Sequence, residues 1–140
     1  MAETPHPSLA LLSIARGIEL EVARVLEPHG LTLRKFGILQ RAGQSAGVSA
    51  TDLARRLRST PDDLRALIRS LVDAGLLRSN TGGSGHEPLL GITPAGSALL
   101  SQLDARLREL DERSFATPEL DDVARAVVAA TAEPDRGPED

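Results

Sequence analysis

A chain of 140 residues with 41% hydrophobic and 26% charged side chains has the composition of one globular domain. It has no cysteine, which excludes disulfides, thiolate metal sites and thiol redox sensing, and its only aromatics, Phe36 and Phe115, leave the core to Leu, Ile, Val and Ala. The net charge of −4 is uneven: residues 97–140 carry five basic and eleven acidic side chains, whereas the remainder is close to neutral, so a nucleic-acid partner is not excluded.

Residues 1–7 read as a flexible lead. From Ser8 to Glu27, Leu9, Leu12, Ala15, Ile18, Val22, Val25 and Leu26 recur at a helical period, and Pro28 and Gly30 end the helix. The apolar run "SLALLSIA" within it is too short for a membrane span, and no cleavage pattern follows, so a cytoplasmic protein is expected. A second helix covers "GLTLRKFGILQRAG", with Thr32 as N-cap and Gly43 at its end. A third covers "SATDLARRLRS", where Ser49 and Asp52 have capping-box spacing and Leu53, Ala54 and Leu57 face inward.

The fourth helix, "STPDDLRALIRSLVDAGLLRS", opens with Thr60 as N-cap, Pro61 at its first position and two aspartates, Asp62 and Asp63, in its first turn. Carboxylates there meet the unpaired N–H groups and the positive end of the helix dipole, typically ~0.3–1 kcal/mol each. Leu64, Leu67, Ile68, Leu71 and Val72 form one apolar stripe, and the opposite face collects Asp62, Arg65, Ala66, Arg69 and Asp73. Gly75 is the expected left-handed stop, with Leu76 folding back on Leu71.

Strands at Leu76–Ser79 and Leu89–Ile92, joined by a Gly- and Ser-rich tip, predict a hairpin. A helix from Pro94 to about Arg113 carries Leu100, Leu103, Leu107 and Leu110 on one seam, suited either to a partner helix or to packing within its own domain. In a last helix, "TPELDDVARAVVAATAE", Leu120, Val123, Val127 and Val128 are expected inward; the final residues, 133–140, read as a disordered tail. The fold class is mainly α with one small β-hairpin, the order of a winged helix-turn-helix with helical flanks.

"LEPHGLTLRKFGIL", "SATDLARRL", "LRALIRSLVDAGLL" and "ITPAGSALL" resemble successive stretches of the MarR family of bacterial transcriptional regulators, over roughly residues 8–130. The resemblance implies a single domain at 8–132, with a winged helix-turn-helix at about 32–93 between dimerisation helices at about 8–27 and 94–132. It implies a homodimer whose two lobes read major grooves of double-stranded, pseudo-palindromic DNA about one turn apart, ~34–36 Å. It also implies a small-molecule effector, held between lobe and dimer helices, that releases DNA.

Carried across by motif, Thr60, Pro61, Asp62, Asp63, Arg65, Ala66 and Arg69 occupy the base-reading helix, and Arg55, Arg56 and Arg58 approach the backbone. In the groove, an arginine can grip a guanine edge and an aspartate can accept from cytosine N4; otherwise these residues are helix-starting carboxylates, intrahelical pairs and a solvated basic face. The family's wing arginine is missing, its motif positions falling on Ser84, Gly85 and His86, and Ala66 replaces a common recognition-helix arginine. Phe36, with Ile14, Ile18 and Gln40, faces the family's ligand region, although plain core is the simpler reading of Phe36. The competing reading of the chain is a degenerate winged-helix module that docks a protein partner, suggested by the lost wing arginine and the acidic helix start.

Nothing in the pattern calls for catalysis, a cofactor or a membrane. His6, His29 and His86 lack carboxylates at metal-ligand spacing, and "TGGSG" opens a strand rather than a helix, so it lacks the dipole that binds phosphate.

Overall fold

A computed structural model describes residues 6–80 and 87–132. In chain order it contains α1 (Pro7–Leu26), a one-turn 3-10 helix (Glu27–His29), α2 (Leu33–Gly43), β1 (Val48–Ser49), α3 (Ala50–Arg56) and α4 (Pro61–Asp73). These are followed by β2 (Leu77–Asn80), β3 (Leu89–Ile92), α5 (Pro94–Ser114) and α6 (Pro118–Thr131).

Local chemistry starts most of these helices. Thr32, Ser49, Thr60, Thr93 and Thr117 each accept a hydrogen bond from the backbone N–H three residues on, at 3.0–3.2 Å. Pro7, Pro61, Pro94 and Pro118 take first helical positions, where a missing N–H costs nothing. That is why α1 begins at Pro7 rather than after it. The capping box on α3 forms by half: Ser49 Oγ accepts from Asp52 N, while the Asp52 carboxylate is held by Arg55 at 2.7 Å.

The core gathers Leu26, Ile38, Leu39, Leu53, Leu64, Leu71, Leu77 and Leu103, each nearly inaccessible to solvent. Each such side chain is stabilised by ~1.5–3 kcal/mol relative to its exposed state. The sheet order is β1-β3-β2, all antiparallel, with Leu77 opposite Ile92 and Val48 opposite Leu90. The two-residue β1 was not foreseen, because two residues carry no periodicity.

The seam on α5 packs within its own chain: Leu103 and Leu110 are buried, and Leu100 and Leu107 pack against the core. The inward expectation for α6 is corrected. None of its residues is buried, and Val127 and Val128 are 48% and 69% exposed. The N-terminal half of α1 is similarly uncovered, with Leu9 and Leu12 62% and 66% exposed. Both helices have apolar faces, and nothing in this single chain covers them.

Thr93 ties the lobe to α5. Its Oγ1 donates to Gly75 O at 2.6 Å and its N–H to Leu76 O at 3.1 Å. Gly96 lies directly against this joint, where a Cβ would collide with the Leu76 carbonyl oxygen and approach Ile92 Cγ1 to 2.8 Å.

Candidate nucleic-acid interface

The turn between α3 and α4 aims the outward helix. At its start Ser59 N–H donates to Ala54 O at 2.8 Å and Arg58 N–H to Arg55 O at 3.4 Å, the two bonds of a Schellman stop. The left-handed residue of that stop is Arg58, at φ 51°, the only non-glycine with positive φ among the described residues. The equivalent stops after the 3-10 turn and after α4 use Gly30 and Gly75, at φ 67° and 75°. Arg34 Nη2 braces the turn by donating to Ser59 Oγ at 3.3 Å. Thr60 then caps α4, which buries Leu64 and Leu71 and packs Leu67, Ile68 and Val72 against the core.

Pro61, Asp62, Asp63, Arg65, Ala66, Arg69 and Asp73 are thereby left exposed on α4, beside exposed Arg55, Arg56 and Arg58. The first-turn aspartates sit where the helix-start reading puts them, and the Asp63 N–H is the one that Thr60 caps. Arg65 Nη1 lies 3.3 Å from Asp62 Oδ1, an intrahelical pair with a partner three residues back. Arg55 is held by Asp52. Both pairs are well exposed and so worth ~0–1 kcal/mol, which leaves either guanidinium free to exchange a carboxylate for a phosphate. Arg56, Arg58 and Arg69 form no ion pair among the described residues.

Ser84, Gly85 and His86 lie outside the described residues. Just beyond them, Glu87 Oε1 accepts from Thr51 N–H at 3.1 Å and from Thr51 Oγ1 at 2.8 Å, fastening the loop end of the hairpin, just before β3, to the first turn of α3. Sequence reasoning missed this clamp, since its partners are 36 residues apart. It also passed over Arg78, exposed on β2 opposite Gly91.

The four residues expected around a ligand do not converge within one chain. Phe36 is a core residue, 6% exposed, whose edge joins Gln40, Leu100, Asp104 and Leu107 around a 360 Å³ cleft between α2 and α5. Ile14 and Ile18 line a different cleft, of 550 Å³, with Leu11, Phe115, Val127 and Val128. The separation arises because only Val22, Val25 and Leu26 of α1 pack on the lobe core, two turns beyond Ile14. Among the described residues no group of side chains could hold a metal ion, and no helix is long and apolar enough to cross a membrane.

No protein-family model matches the chain. It is 37% identical over 97 residues to the HTH-type transcriptional repressor Rv2887 of Mycobacterium tuberculosis, covering 69% of this chain and 70% of that protein. The structure of the MarR family protein Rv2887 in complex with DNA superposes with a TM-score of 0.77 at 28% identity, over 93% of this chain and 100% of that one. Its complex with salicylic acid gives 0.71 at 29% identity, over 93% and 99% of the two chains. Identity is lower in the superpositions because they extend beyond the best-matching 97 residues. With a repressor of that identity matched over 70% of its length, and the fold of the MarR family protein Rv2887 shared over 93% of this chain, this chain belongs to the MarR family of winged helix-turn-helix transcriptional regulators.

Proposed function

We propose that the chain is a cytoplasmic, homodimeric transcriptional repressor, not an enzyme, which binds a specific double-stranded operator and responds to a small-molecule effector. The observation that carries this reading is the outward face of α4, where Arg65 and Arg69 stand beside the exposed Arg56 and Arg58 on a lobe shaped like one solved with DNA. In this reading Arg65 and Arg69 reach base edges, Asp62 or Asp63 accepts from a cytosine, and Arg55, Arg56 and Arg58 hold phosphates, which position without specifying. Thr60, Pro61 and Ala66 lie along the groove wall, and the family resemblance alone assigns His86, outside the described residues, to the wing. The uncovered apolar faces of α1 and α6 supply the dimer contact, since exposed apolar patches of this kind mark interfaces.

The winged lobe then spans about 32–93, between dimerisation helices at about 8–27 and 94–132. For the effector, support comes from the salicylic acid bound to Rv2887 and from the α2–α5 cleft at Phe36 and Gln40. Ile14 and Ile18 are reassigned to the dimer face.

The test is fluorescence anisotropy on DNA from upstream of the chain's own gene, with a scrambled control, across several salt concentrations. Tight, sequence-dependent, salt-sensitive binding is expected. Arg65→Ala should lose ~1–3 kcal/mol and relax one base step, and Arg56→Ala should weaken all sequences alike and flatten the salt slope by about 1. Salt-independent, equally weak binding to both DNAs would return the chain to the protein-docking reading.

A further inference from the structure

Most of the described arginines fall into three groups by partner and place. Arg16, Arg55, Arg65, Arg108 and Arg125 are each tied to a carboxylate three or four residues away. Arg56, Arg58, Arg69 and Arg78, which form no ion pair among the described residues, lie on the winged face already described. Three more, Arg24, Arg106 and Arg113, form no ion pair among the described residues, and all three line one cleft of 530 Å³.

That cleft lies between the C-terminal half of α1, the 3-10 turn and α5. Arg24 and Glu21 come from α1, His29 from the turn, and Arg106, Arg113 and Ser114 from α5. Arg106 and Arg113 are seven residues apart, so they share one face of α5 two turns apart. Glu109 lies within one turn of both on the same helix, yet it pairs with neither, and Glu21 does not pair with Arg24 three residues on. Elsewhere on α5 the same chemistry does close locally, with Arg108 on Asp104 at 2.9 Å. Three guanidiniums against one carboxylate therefore face a concavity of the size that small ligands occupy, ~300–1,000 Å³. Guanidinium is the group best suited to two-pronged hydrogen bonding with carboxylate or phosphate oxygens.

We propose that this α1–α5 cleft binds a small organic polyanion carrying two or more carboxylate or phosphate groups. The cleft shares no lining residue with the α2–α5 cleft at Phe36 or with the apolar cleft at Ile14 and Ile18, so it is a separate site. An occupant bridging Arg24 and His29 to Arg106 and Arg113 would join the C-terminal end of α1 and the 3-10 turn to the C-terminal half of α5.

Isothermal titration calorimetry on the full chain at low ionic strength tests this, with citrate and pyrophosphate as the two probes. Saturable binding of one probe molecule per chain is expected. It should weaken at least about tenfold in the Arg106→Gln/Arg113→Gln double variant and in Arg24→Gln, the loss expected when charge-assisted bonds are removed. Arg125→Gln, on α6 and away from the cleft, should leave it unchanged. Binding of citrate alone identifies a polycarboxylate site, of pyrophosphate alone a phosphate site, and of both a site for either group. Failure of both probes to saturate, or equal affinity in the cleft variants and the parent, overturns the proposal. The exposed positions of all three arginines keep the variants folded, which an unchanged thermal transition verifies. No DNA is present, so the result stands whether or not the repressor reading does.

Discussion

Replacing Arg58 tests whether the turn before the outward helix holds backbone strain for the sake of its side chain. At φ 51° an L-residue stands in the left-handed region, at a cost of roughly 1–2 kcal/mol that glycine does not incur. Against that, glycine frees the unfolded chain by about 0.4–1 kcal/mol. Arg58→Gly should therefore be as stable as the parent or more so, by up to about 1.6 kcal/mol, whereas Arg58→Ala keeps the strain and gains nothing. At Arg56, inside α3, the order must invert, with Arg56→Ala more stable than Arg56→Gly by about 1 kcal/mol. Urea unfolding of the four variants reads these differences as midpoint shifts at constant slope. Protein concentration is held fixed because a dimer's stability depends on it. Both Arg58 variants should also lose DNA affinity, with the salt slope falling by about 1. The glycine variant would then bind more weakly while folding at least as well. If Arg58→Ala proves as stable as Arg58→Gly, the strain argument is wrong.

Three other outcomes are expected. Gly96→Ala drives a Cβ into the Leu76 carbonyl that Thr93 N–H holds, and should destabilise by about 1–3 kcal/mol in urea unfolding; a neutral effect would mean the joint can open. Glu87→Ala removes both hydrogen bonds to Thr51, so exchange of the Thr51 amide should quicken and stability fall by about 1 kcal/mol, with Glu87→Gln recovering most of it; unchanged exchange would deny the clamp. Leu12→Asp and Val128→Asp place charge on the uncovered faces and should convert a dimer to monomer in sedimentation velocity, while a dimer that persists in both would put the interface elsewhere.

Much of the candidate site was legible because it is local. Thr60, Pro61 and the paired aspartates specify a helix start within four residues, and the spacing of Leu64, Leu67, Ile68 and Leu71 leaves Arg65 and Arg69 outward however the rest packs. Arg58 was placed among the phosphate contacts, but its left-handed backbone was hidden. The signal for such a stop is a glycine, present at Gly30 and Gly75 and absent here. Glu87 and Thr51 carried no signal at all, being joined only when β3 pairs with β1 beside the start of α3.

The amino-acid sequence by itself determined where helices begin and stop and which face of each is apolar, because caps, proline and a 3.6-residue period act within a few residues. Tertiary structure alone decided what covers each face. The leucines of α5 and the valines of α6 make comparable stripes, yet Leu103 and Leu110 are buried while Val127 and Val128 stand in solvent. It likewise decided that Arg24, Arg106 and Arg113, up to 89 positions apart, share one cleft while Phe36 and Ile14 do not. A periodic stripe records that burial is favourable; the surface that accepts it depends on how distant segments pack, which no local pattern encodes.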